Sequence, residues 1–481
     1  MSKLFYILLF LALPLSAQIN VVPQPNEITY HKGTCPISTK ISYIQDKSIN
    51  NPEGYQLIIK PNQIIIKFAT EAGKFYAEQT FNQLVFGAEV THKKSLLCLT
   101  ITDAPRFAYR ALMIDPARHY WKIDDIKKYI DVMAHYKFNY LHLHLTDDQG
   151  WRIEIKKYPK LTEIGSKRSD FEGSKRNNEG FYTQEQIKDL VLYALQRNVQ
   201  LVPEFDVPGH SDAAIAAYPF LSCNDTLIGV RTTAGVSKNL LCVGKEEVFT
   251  FIDDVITELS AIFPCPYFHI GGDEAPMDKW LEHSPTLKLK QSLHTTNNQQ
   301  LMSEFFKRVN QSLEKNHKRP LIWLELEVPS YPQNSVMYLW RMRTTPQVLE
   351  RAKKDNFKLI CSPGEYAYFD YPQAKNDLPN VDWMPTLTLQ RVYEFNPAFS
   401  LTAEEENQYI LGVEATLWGE SVKDVFRAFY MTYPRALALS EAGWTEMPKR
   451  DWQQFTQKLD LQLRYLLHKG INYRPPVELH Q

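Results

Sequence analysis

The stretch YFHIGGDEAP, residues 267–276, joins a short apolar run to two glycines and then to two adjacent carboxylates, Asp273 and Glu274. Residues 267–270 are able to form a buried strand. Two neighbouring carboxylates repel each other, and burying either is unfavourable unless it is paired or protonated. Such acids at the end of an apolar strand indicate chemistry rather than packing, provided that the rest of the chain places them in a suitable fold.

The sequence from residue 106 onward alternates between strand-like and helix-like segments. Apolar runs predict strands at residues 111–114, 140–145, 199–205, 267–270, 320–324, 336–340, 358–361 and 410–417. Periodic segments predict helices at 124–136, 184–197, 247–262, 297–314, 346–354 and 452–469. This alternation predicts an α/β fold, a (β/α)8 TIM barrel. Residues 325–335, between the fifth and sixth strands, are too few for a crossover helix of normal length.

Residues 18–105 form a different pattern, in which short β-rich runs surround one helical stretch at 74–86. This pattern predicts a small N-terminal α+β accessory domain. The turn signal Asp103-Ala104-Pro105 marks its boundary with the barrel, residues 106–481. We expect no carbohydrate-binding module after the last helix.

The first 17 residues have the features of a secretory signal peptide. Lys3 supplies a positive charge, residues 4–13 an apolar run, and Ser16-Ala17 a small-residue cleavage site. The run is too short for a comfortable membrane span. We therefore expect an exported protein, periplasmic or secreted, with no membrane span in the mature chain.

Composition excludes some partner classes. The chain has 481 residues, of which 44% are hydrophobic and 23% charged, and its net charge is −1. It has no basic stripe, so we expect no nucleic-acid partner. Aromatic residues make up 12%, which suits a ligand with flat apolar faces, such as a sugar, although a well-filled core explains most of them.

Six cysteines are present. In an exported protein they are able to form disulfides. The candidate pairs are Cys223–Cys242, which would close a loop, and Cys35–Cys98, within the first domain. Free buried thiols are the alternative for all six. The spacing of the cysteines does not suggest a metal site.

Reactive residues gather at the carboxyl ends of the predicted strands, where TIM barrels carry their active sites. In order along the chain they are Arg118, His119, His142, His144, Asp147, Asp148, Glu204, Asp206, His210, Asp273, Glu274, Trp323, Glu325, Trp340, Tyr368, Asp370, Trp418 and Glu420. Random placement would put half of them at the opposite face.

These residues lie in segments that resemble a known family. The segments are RALMIDPARHYW (110–121), NYLHLHLTDDQGWRIEI (139–155), VPEFDVPGH (202–210), HIGGDE (269–274), YFDYPQ (368–373) and LWGES (417–421). Together they resemble the family 20 glycoside hydrolases, the β-N-acetylhexosaminidases. The resemblance covers nearly the whole mature chain, since residues 21–30 and 73–84 resemble the family's N-terminal domain.

The resemblance implies an exo-acting, retaining enzyme that removes terminal non-reducing β-linked GlcNAc or GalNAc from glycans, with no cofactor and no metal. In this family the 2-acetamido oxygen of the substrate attacks the anomeric carbon and forms an oxazolinium ion. Asp273 would orient the acetamido group, and Glu274 would be the general acid and then the base. We expect the charge of Asp273 to raise the pKa of Glu274.

The same resemblance implies roles for other residues. Arg118 would bind the O3 and O4 hydroxyls of the terminal sugar, and Asp370 and Glu420 would bind hydroxyls of the same sugar. Tyr368 would donate to the acetamido oxygen, and Asp147 would be a polar contact at the pocket rim. The pocket walls would be Trp323, Trp340 and Trp418. His210 and Asp206 would be a hydrogen-bonded pair beside the acid, within the substrate site and behind it respectively.

Other interpretations remain open. His142 and His144 form the HxH pattern with which metal-dependent amidohydrolases begin, although HIGGDE and the tryptophans have no role in that chemistry; in the family interpretation both histidines are structural. A specialised relative acting on chitin oligomers or releasing disaccharides is a second possibility, and the unfamiliar stretch 324–335 leaves substrate length open. The third is a non-catalytic glycan-binding protein.

Overall fold

The computed structural model describes residues 19–169, 179–379, 381 and 384–476. The predicted signal peptide, residues 1–17, lies outside the described residues. The described chain contains a small N-terminal unit and a barrel, which confirms the predicted fold class.

The N-terminal unit is a five-stranded sheet with one helix against it. Its elements are β1 (Glu27–Pro36), β2 (Ile41–Gln45), β3 (Tyr55–Lys60), β4 (Gln63–Phe68), helix α1 (Glu71–Val90) and β5 (Ser95–Asp103), with the sheet order β1-β5-β3-β4-β2. Strands β3 and β4 bury alternate residues, as expected of a sheet with one covered face. The side chain of Thr70 caps the start of α1 by accepting from the Ala72 N–H.

Eight parallel strands close the barrel in the order β10-β11-β12-β13-β14-β15-β6-β7. These strands, with one inserted hairpin (β8 and β9), are β6 (Tyr109–Ile114), β7 (Tyr140–His144), β8 (Thr146–Asp147), β9 (Gly150–Trp151), β10 (Gln200–Glu204), β11 (Tyr267–His269), β12 (Arg319–Trp323), β13 (Val336–Leu339), β14 (Lys358–Cys361) and β15 (Ile410–Leu417). Most barrel positions are buried, and all six residues of β6 are, because helices cover the outside and side chains fill the inside.

The remaining α-helices are α2 (Ile123–His135), α3 (Lys160–Glu163), α4 (Gln184–Leu195), α5 (Asp212–Ala217), α6 (Glu246–Ile262), α7 (Asp278–Glu282), α8 (Ser284–Ser292), α9 (Gln300–Lys315), α10 (Thr345–Asp355), α11 (Gly364–Ala367), α12 (Leu389–Tyr393), α13 (Ala403–Tyr409), α14 (Val425–Thr432), α15 (Arg435–Trp444) and α16 (Trp452–His468). As predicted, the described chain between β12 and β13 contains no helix.

The N-terminal unit contacts the barrel through buried charged residues at the amino ends of its strands. Lys137, just before β7, lies 3.1 Å from Asp103 of β5, and both side chains are fully buried. The Trp444 indole donates to the same carboxylate at 2.9 Å. Arg110 of β6 pairs with Glu53 at 2.9 Å. The N-terminal unit therefore lies at the end of the barrel opposite the carboxyl ends of the strands.

The cysteine predictions have different outcomes. Cys223 and Cys242 form a disulfide. The candidate pair Cys35–Cys98 does not form, and both residues are buried free thiols, the stated alternative. The antiparallel register of β1 and β5 places Cys35 opposite Leu96, two residues from Cys98. The Cys35 thiol instead contacts the Thr39 hydroxyl at 3.4 Å.

Among the described residues we find no helix that combines the length and the apolar character needed to cross a membrane.

Candidate active site

The two glycines of HIGGDE allow a tight turn directly after β11. Gly271 and Gly272 have φ angles of 62° and 99°, a conformation that glycine adopts without steric strain. A Cβ atom on Gly271 would lie 1.6 Å from Oδ1 of Asp206. The Gly272 N–H donates to this same oxygen at 3.2 Å. The turn thus packs against the carboxylate that follows β10 and presents Asp273 and Glu274 at the barrel mouth.

Asp273 and Glu274 are neighbours in sequence but differ in exposure. The side chain of Asp273 is 12% exposed and that of Glu274 is 37% exposed, so Asp273 lies deeper in the site. One imidazole faces both carboxylates: His210 Nε2 lies 3.8 Å from Asp273 Oδ2 and 3.6 Å from Glu274 Oε2. Oδ1 of Asp273 is buried and has no hydrogen-bond partner among the described residues, which leaves it available to a ligand.

The proton affinities of this pair differ from the sequence-based expectation. Burial raises the pKa of Asp273 to about 6, and the Glu274 charge adds to the rise. The pKa of Glu274 is lowered, chiefly by its hydrogen bond with His210. The prediction that the pKa of Glu274 is raised is therefore wrong for the free protein, because the hydrogen bond with His210 outweighs the effect of burial, which would raise this pKa. The first proton taken up by the pair resides on Asp273.

Arg118 is fixed at the barrel mouth by three carboxylates. Its guanidinium lies 2.8 Å from Asp115, 2.8 Å from Asp147 and 3.3 Å from Glu420. Burial alone would lower the pKa of Arg118, but these carboxylates raise the pKa of Arg118 well above its usual range. The guanidinium also lies 5.2 Å from the centre of the Trp418 ring. Arg118 is thus a permanent, pre-oriented cation beside the predicted sugar site.

The prediction that Asp147 lies at the pocket rim is wrong. Its side chain is buried beneath Arg118. It also accepts from His210 Nδ1 at 3.2 Å. The predicted hydrogen bond between His210 and Asp206 is therefore wrong, since the carboxylates bonded to the imidazole are those of Asp147 and Glu274. Asp206 is occupied by the glycine turn, although its charge is close enough to raise the pKa of His210.

The predicted aromatic residues come together around the pair. Trp323 is fully buried, whereas Trp340 and Trp418 are half-buried. The rings of Trp323 and Trp418 are 5.9 Å apart, and those of Tyr368 and Trp418 are 6.3 Å apart. Burial raises the pKa of Tyr368 well above its usual value, and the Asp273 charge adds to the rise, so the hydroxyl is neutral and able to donate.

Asp370 and Glu420 complete the predicted set on the opposite side of the barrel mouth. Burial raises the pKa of Asp370 well above its usual range, and the Glu420 charge adds to this rise. Burial also raises the pKa of Glu420, against the opposing effect of Arg118. Oδ1 of Asp370 is buried and has no hydrogen-bond partner among the described residues.

Glu325 and Arg341 have a larger role beside the pair than their sequence context indicated. Glu325 accepts a hydrogen bond from the backbone of Glu274, and burial raises its pKa to about 7. Arg341 lies 3.3 Å from this carboxylate and stacks 3.6 Å above the Trp340 ring. The search for reactive residues at the carboxyl ends of strands included Glu325. Extending this search by one residue past Trp340 would have included Arg341. The same search would have found Asp115, which directly follows β6.

The HxH histidines lie deeper in the barrel. His142 Nδ1 lies 2.9 Å from a carboxylate oxygen of Glu414, and its Nε2 lies 3.1 Å from Glu204. His144 contacts Glu204 through Nδ1 and Asp147 through Nε2, the latter at 2.7 Å. Carboxylates of the chain thus face both ring nitrogens of each histidine, which is an arrangement of internal charge compensation.

Comparisons with known proteins agree with this geometry. The family model "Glycosyl hydrolase family 20, catalytic domain" matches residues 107–447, and "Glycosyl hydrolase family 20, domain 2" matches residues 39–104. The chain is 37% identical to a β-hexosaminidase of Akkermansia muciniphila over 95% of this chain and 92% of that protein.

Solved structures show the same fold. The crystal structure of a β-N-acetylhexosaminidase matches with a TM-score of 0.89 and 36% identity, covering 94% of this chain and 96% of the other. A family 20 exo-β-N-acetylglucosaminidase from Vibrio harveyi, solved in complex with N-acetylglucosamine, matches with a TM-score of 0.84 and 30% identity, covering 95% of this chain and 78% of the other.

Proposed function

Because the chain belongs to glycosyl hydrolase family 20, and is thus a glycoside hydrolase, we propose that it is an exo-acting, retaining β-N-acetylhexosaminidase that uses the acetamido group of its substrate as the nucleophile. Its substrates are glycans with terminal β-linked GlcNAc or GalNAc. The observation that carries the proposal is the pair Asp273 and Glu274, at different depths beside one imidazole.

The reaction begins with bond exchange at the anomeric carbon. The acetamido carbonyl oxygen forms a bond to this carbon as the bond to the leaving oxygen breaks, and the leaving oxygen takes the proton of Glu274. The positive charge that develops on the oxazolinium ring lies near its N–H. The ionised Asp273 accepts a hydrogen bond from this N–H and stabilises the positive charge. Water then attacks the same carbon as the bond to the acetamido oxygen breaks, and the water gives a proton to Glu274. The configuration is retained because two inversions have taken place.

The chemistry requires a proton on Glu274 and a charge on Asp273, whereas in the free protein Asp273 has the higher pKa of the two. Substrate binding reverses the order of these two pKa values. The acetamido N–H donates to Asp273 and lowers its pKa, because a hydrogen bond to the charged form favours that form. The sugar also displaces water from Glu274, which raises the pKa of Glu274 by burial. The proton therefore passes to Glu274 only when an acetamido group is present.

The surrounding residues hold the sugar in position. Arg118 donates charged hydrogen bonds to ring hydroxyls, with Asp370 and Glu420 as acceptors. Tyr368 donates to the acetamido oxygen and aims it at the anomeric carbon. Trp323, Trp340 and Trp418 enclose the acetamido methyl group and one face of the ring.

Residues 1–17 are proposed to direct export, to the periplasm or the medium. Their charged start, apolar run and small-residue end support this proposal. A shortened N-terminus beginning at residue 18 in the purified native protein would support it, and an intact Met1 would contradict it.

The test of the reaction compares an aryl N-acetyl-β-glucosaminide with the matching aryl β-glucoside. The second lacks the acetamido group, so we expect hydrolysis of the first alone, with retention observed by proton NMR of the first-formed sugar. Equal rates on the two substrates, or inversion, would contradict the proposal. Binding without hydrolysis would favour a non-catalytic glycan-binding protein, and release of disaccharides from longer glycans would favour a specialised relative.

A further inference from the structure

A row of alternating carboxylates and imidazoles runs from the barrel interior to Glu274. His142 lies between Glu414 and Glu204, at 2.9 and 3.1 Å. His144 lies between Glu204 and Asp147, with the second contact at 2.7 Å. His210 follows between Asp147, at 3.2 Å, and Glu274, at 3.6 Å. We call these seven side chains the acid–imidazole row.

The geometry of the row favours charged imidazoles. A neutral imidazole has one N–H donor and one acceptor nitrogen, so it satisfies only one of two ionised carboxylates that face it. Each histidine of the row faces carboxylates at both nitrogens. In agreement, and against the opposing effect of burial, the flanking carboxylates raise the pKa of His142 to about 9 and the pKa values of His144 and His210 well above their usual range.

Glu204, from the interior part of the row, contacts a wall of the proposed substrate site. It accepts from the Trp323 indole N–H at 3.1 Å, and Trp323 forms part of the proposed acetamido pocket. His269 Nδ1 lies 2.8 Å from the same oxygen, Oε1. The charge of Glu204 also contributes to the raised pKa of Asp273. Glu204 is fully buried, so it acts on Trp323 and Asp273 without contacting the sugar.

We propose that Glu204 is a positioning residue with two separable effects. Its charge maintains the protonation of the acid–imidazole row and of the catalytic pair, and its hydrogen bond holds the Trp323 ring in the orientation that the acetamido group requires. This inference rests on the proposed function, because it assigns the roles of Asp273 and Glu274 from that reaction.

The charged and titratable groups around the row come from every neighbouring strand end. Those that act on Glu204 or on the catalytic pair are Arg118, His142, His144, Asp206, His210, His269, Glu325 and Arg341. Asp147 acts on His210. Asp115 acts on His144, Asp148 lies beside Asp147 and His210, and Glu414 acts on His142. Of these, Glu204 alone contacts both His144 and Trp323, which makes it the residue to change.

Two substitutions separate the effects. Glu204→Gln removes the charge but keeps an oxygen able to accept from Trp323. Glu204→Asp keeps the charge but withdraws the oxygen from the indole by one methylene. For Glu204→Gln we expect the alkaline limb of kcat/KM to move to lower pH by about half a unit or more, because the loss of a nearby negative charge lowers the pKa of Asp273; KM for the aryl glucosaminide should stay near that of the parent protein.

For Glu204→Asp we expect the alkaline limb to stay in place and KM to rise by about tenfold, the effect of losing a hydrogen bond to a charged acceptor. A purely structural role would lower kcat uniformly in both variants and move neither the pH limb nor KM, and that result would overturn the inference. Thermal unfolding of each variant checks that it is folded.

A third variant keeps the test decisive. If Glu204→Gln does not fold, Trp323→Phe replaces it in the test, because this substitution removes the indole donor. Trp323→Phe should then raise KM as Glu204→Asp does. An unchanged KM in both Trp323→Phe and Glu204→Asp would overturn the inference. A parent protein inactive on the aryl glucosaminide would instead contradict the proposed function, so the two failures are distinguishable.

Discussion

Asp148→Asn should change the pH dependence of folding stability, because Asp148 is a buried carboxyl with a strongly raised pKa. Its side chain is fully buried. One oxygen accepts from the Asp212 N–H at 3.0 Å, and Oδ2 has no hydrogen-bond partner among the described residues. Burial raises the pKa of Asp148 from 3.8 to about 7, and the charges of Asp147 and Asp212 add to the rise.

The raised pKa of Asp148 determines the direction and the size of the change in folding stability with pH. A carboxyl whose folded pKa lies above its unfolded pKa binds more protons in the folded state, so the stability it provides is complete below pH 4 and is lost as the pH rises to about 7. Each pKa unit corresponds to about 1.4 kcal/mol. Two of the roughly three units lie between pH 5 and pH 7, which gives a loss of about 3 kcal/mol over that range.

Asparagine cannot ionise, so the variant lacks this loss. The carbonyl oxygen still accepts from the Asp212 N–H, while the new amide group has an unsatisfied donor that costs about 1–3 kcal/mol at every pH. We therefore expect Asp148→Asn to be less stable than the parent at pH 5 and to gain about 3 kcal/mol relative to it by pH 8.

The assay is urea unfolding of both proteins at pH 5, 6, 7 and 8, followed by circular dichroism and tryptophan fluorescence. Asp460→Asn is a matched control, because the Asp460 side chain is 75% exposed and forms a surface ion pair with Arg464. Its removal should give a difference in stability that hardly varies with pH. The same constant difference for Asp148→Asn would refute the reasoning.

Three further predictions concern the pair, the turn and the disulfide. Glu274→Gln should lose about 10²–10⁴-fold in kcat on poor leaving groups but little on a dinitrophenyl leaving group, which needs no proton; equal losses on both, measured by steady-state kinetics, would contradict its role as the acid. Gly271→Ala should destabilise the fold by at least about 2 kcal/mol, through positive φ and the contact with Asp206, whereas Gly229→Ala, with open space around it, should not; urea midpoints compare them. Cys223→Ser should lower stability by about 3 kcal/mol for a loop of this length and abolish the effect of reductant on the urea midpoint; a midpoint equal to that of the oxidised parent would contradict this.

Hydrophobic pattern was sufficient to predict the barrel. Strands buried on both faces read as continuous apolar runs, and each predicted barrel strand overlaps an observed one. Helix α15 was missed because all its residues, from Arg435 to Trp444, are buried, so it lacks the polar face that marks a helix in sequence. The hairpin of β8 and β9 was missed because two-residue strands carry too little pattern.

Positions at the carboxyl ends of strands predicted which side chains gather at the mouth, but not how they pair. The choice of Asp147 over Asp206 as the partner of His210 depends on the glycine turn, which occupies Asp206. The pKa order of Asp273 and Glu274 depends on depth and on one imidazole. Both are three-dimensional properties that spacing along the chain does not encode.

The central claim is that the substrate supplies the attacking oxygen and Asp273 holds the group that carries it. The most direct measurement is kcat/KM for a series of aryl β-glucosaminides whose N-acetyl group carries zero, one, two or three fluorine atoms. Fluorine withdraws electrons and weakens the carbonyl oxygen as a nucleophile, so the account predicts a steep fall at each step. A rate that does not change across the series would contradict the account.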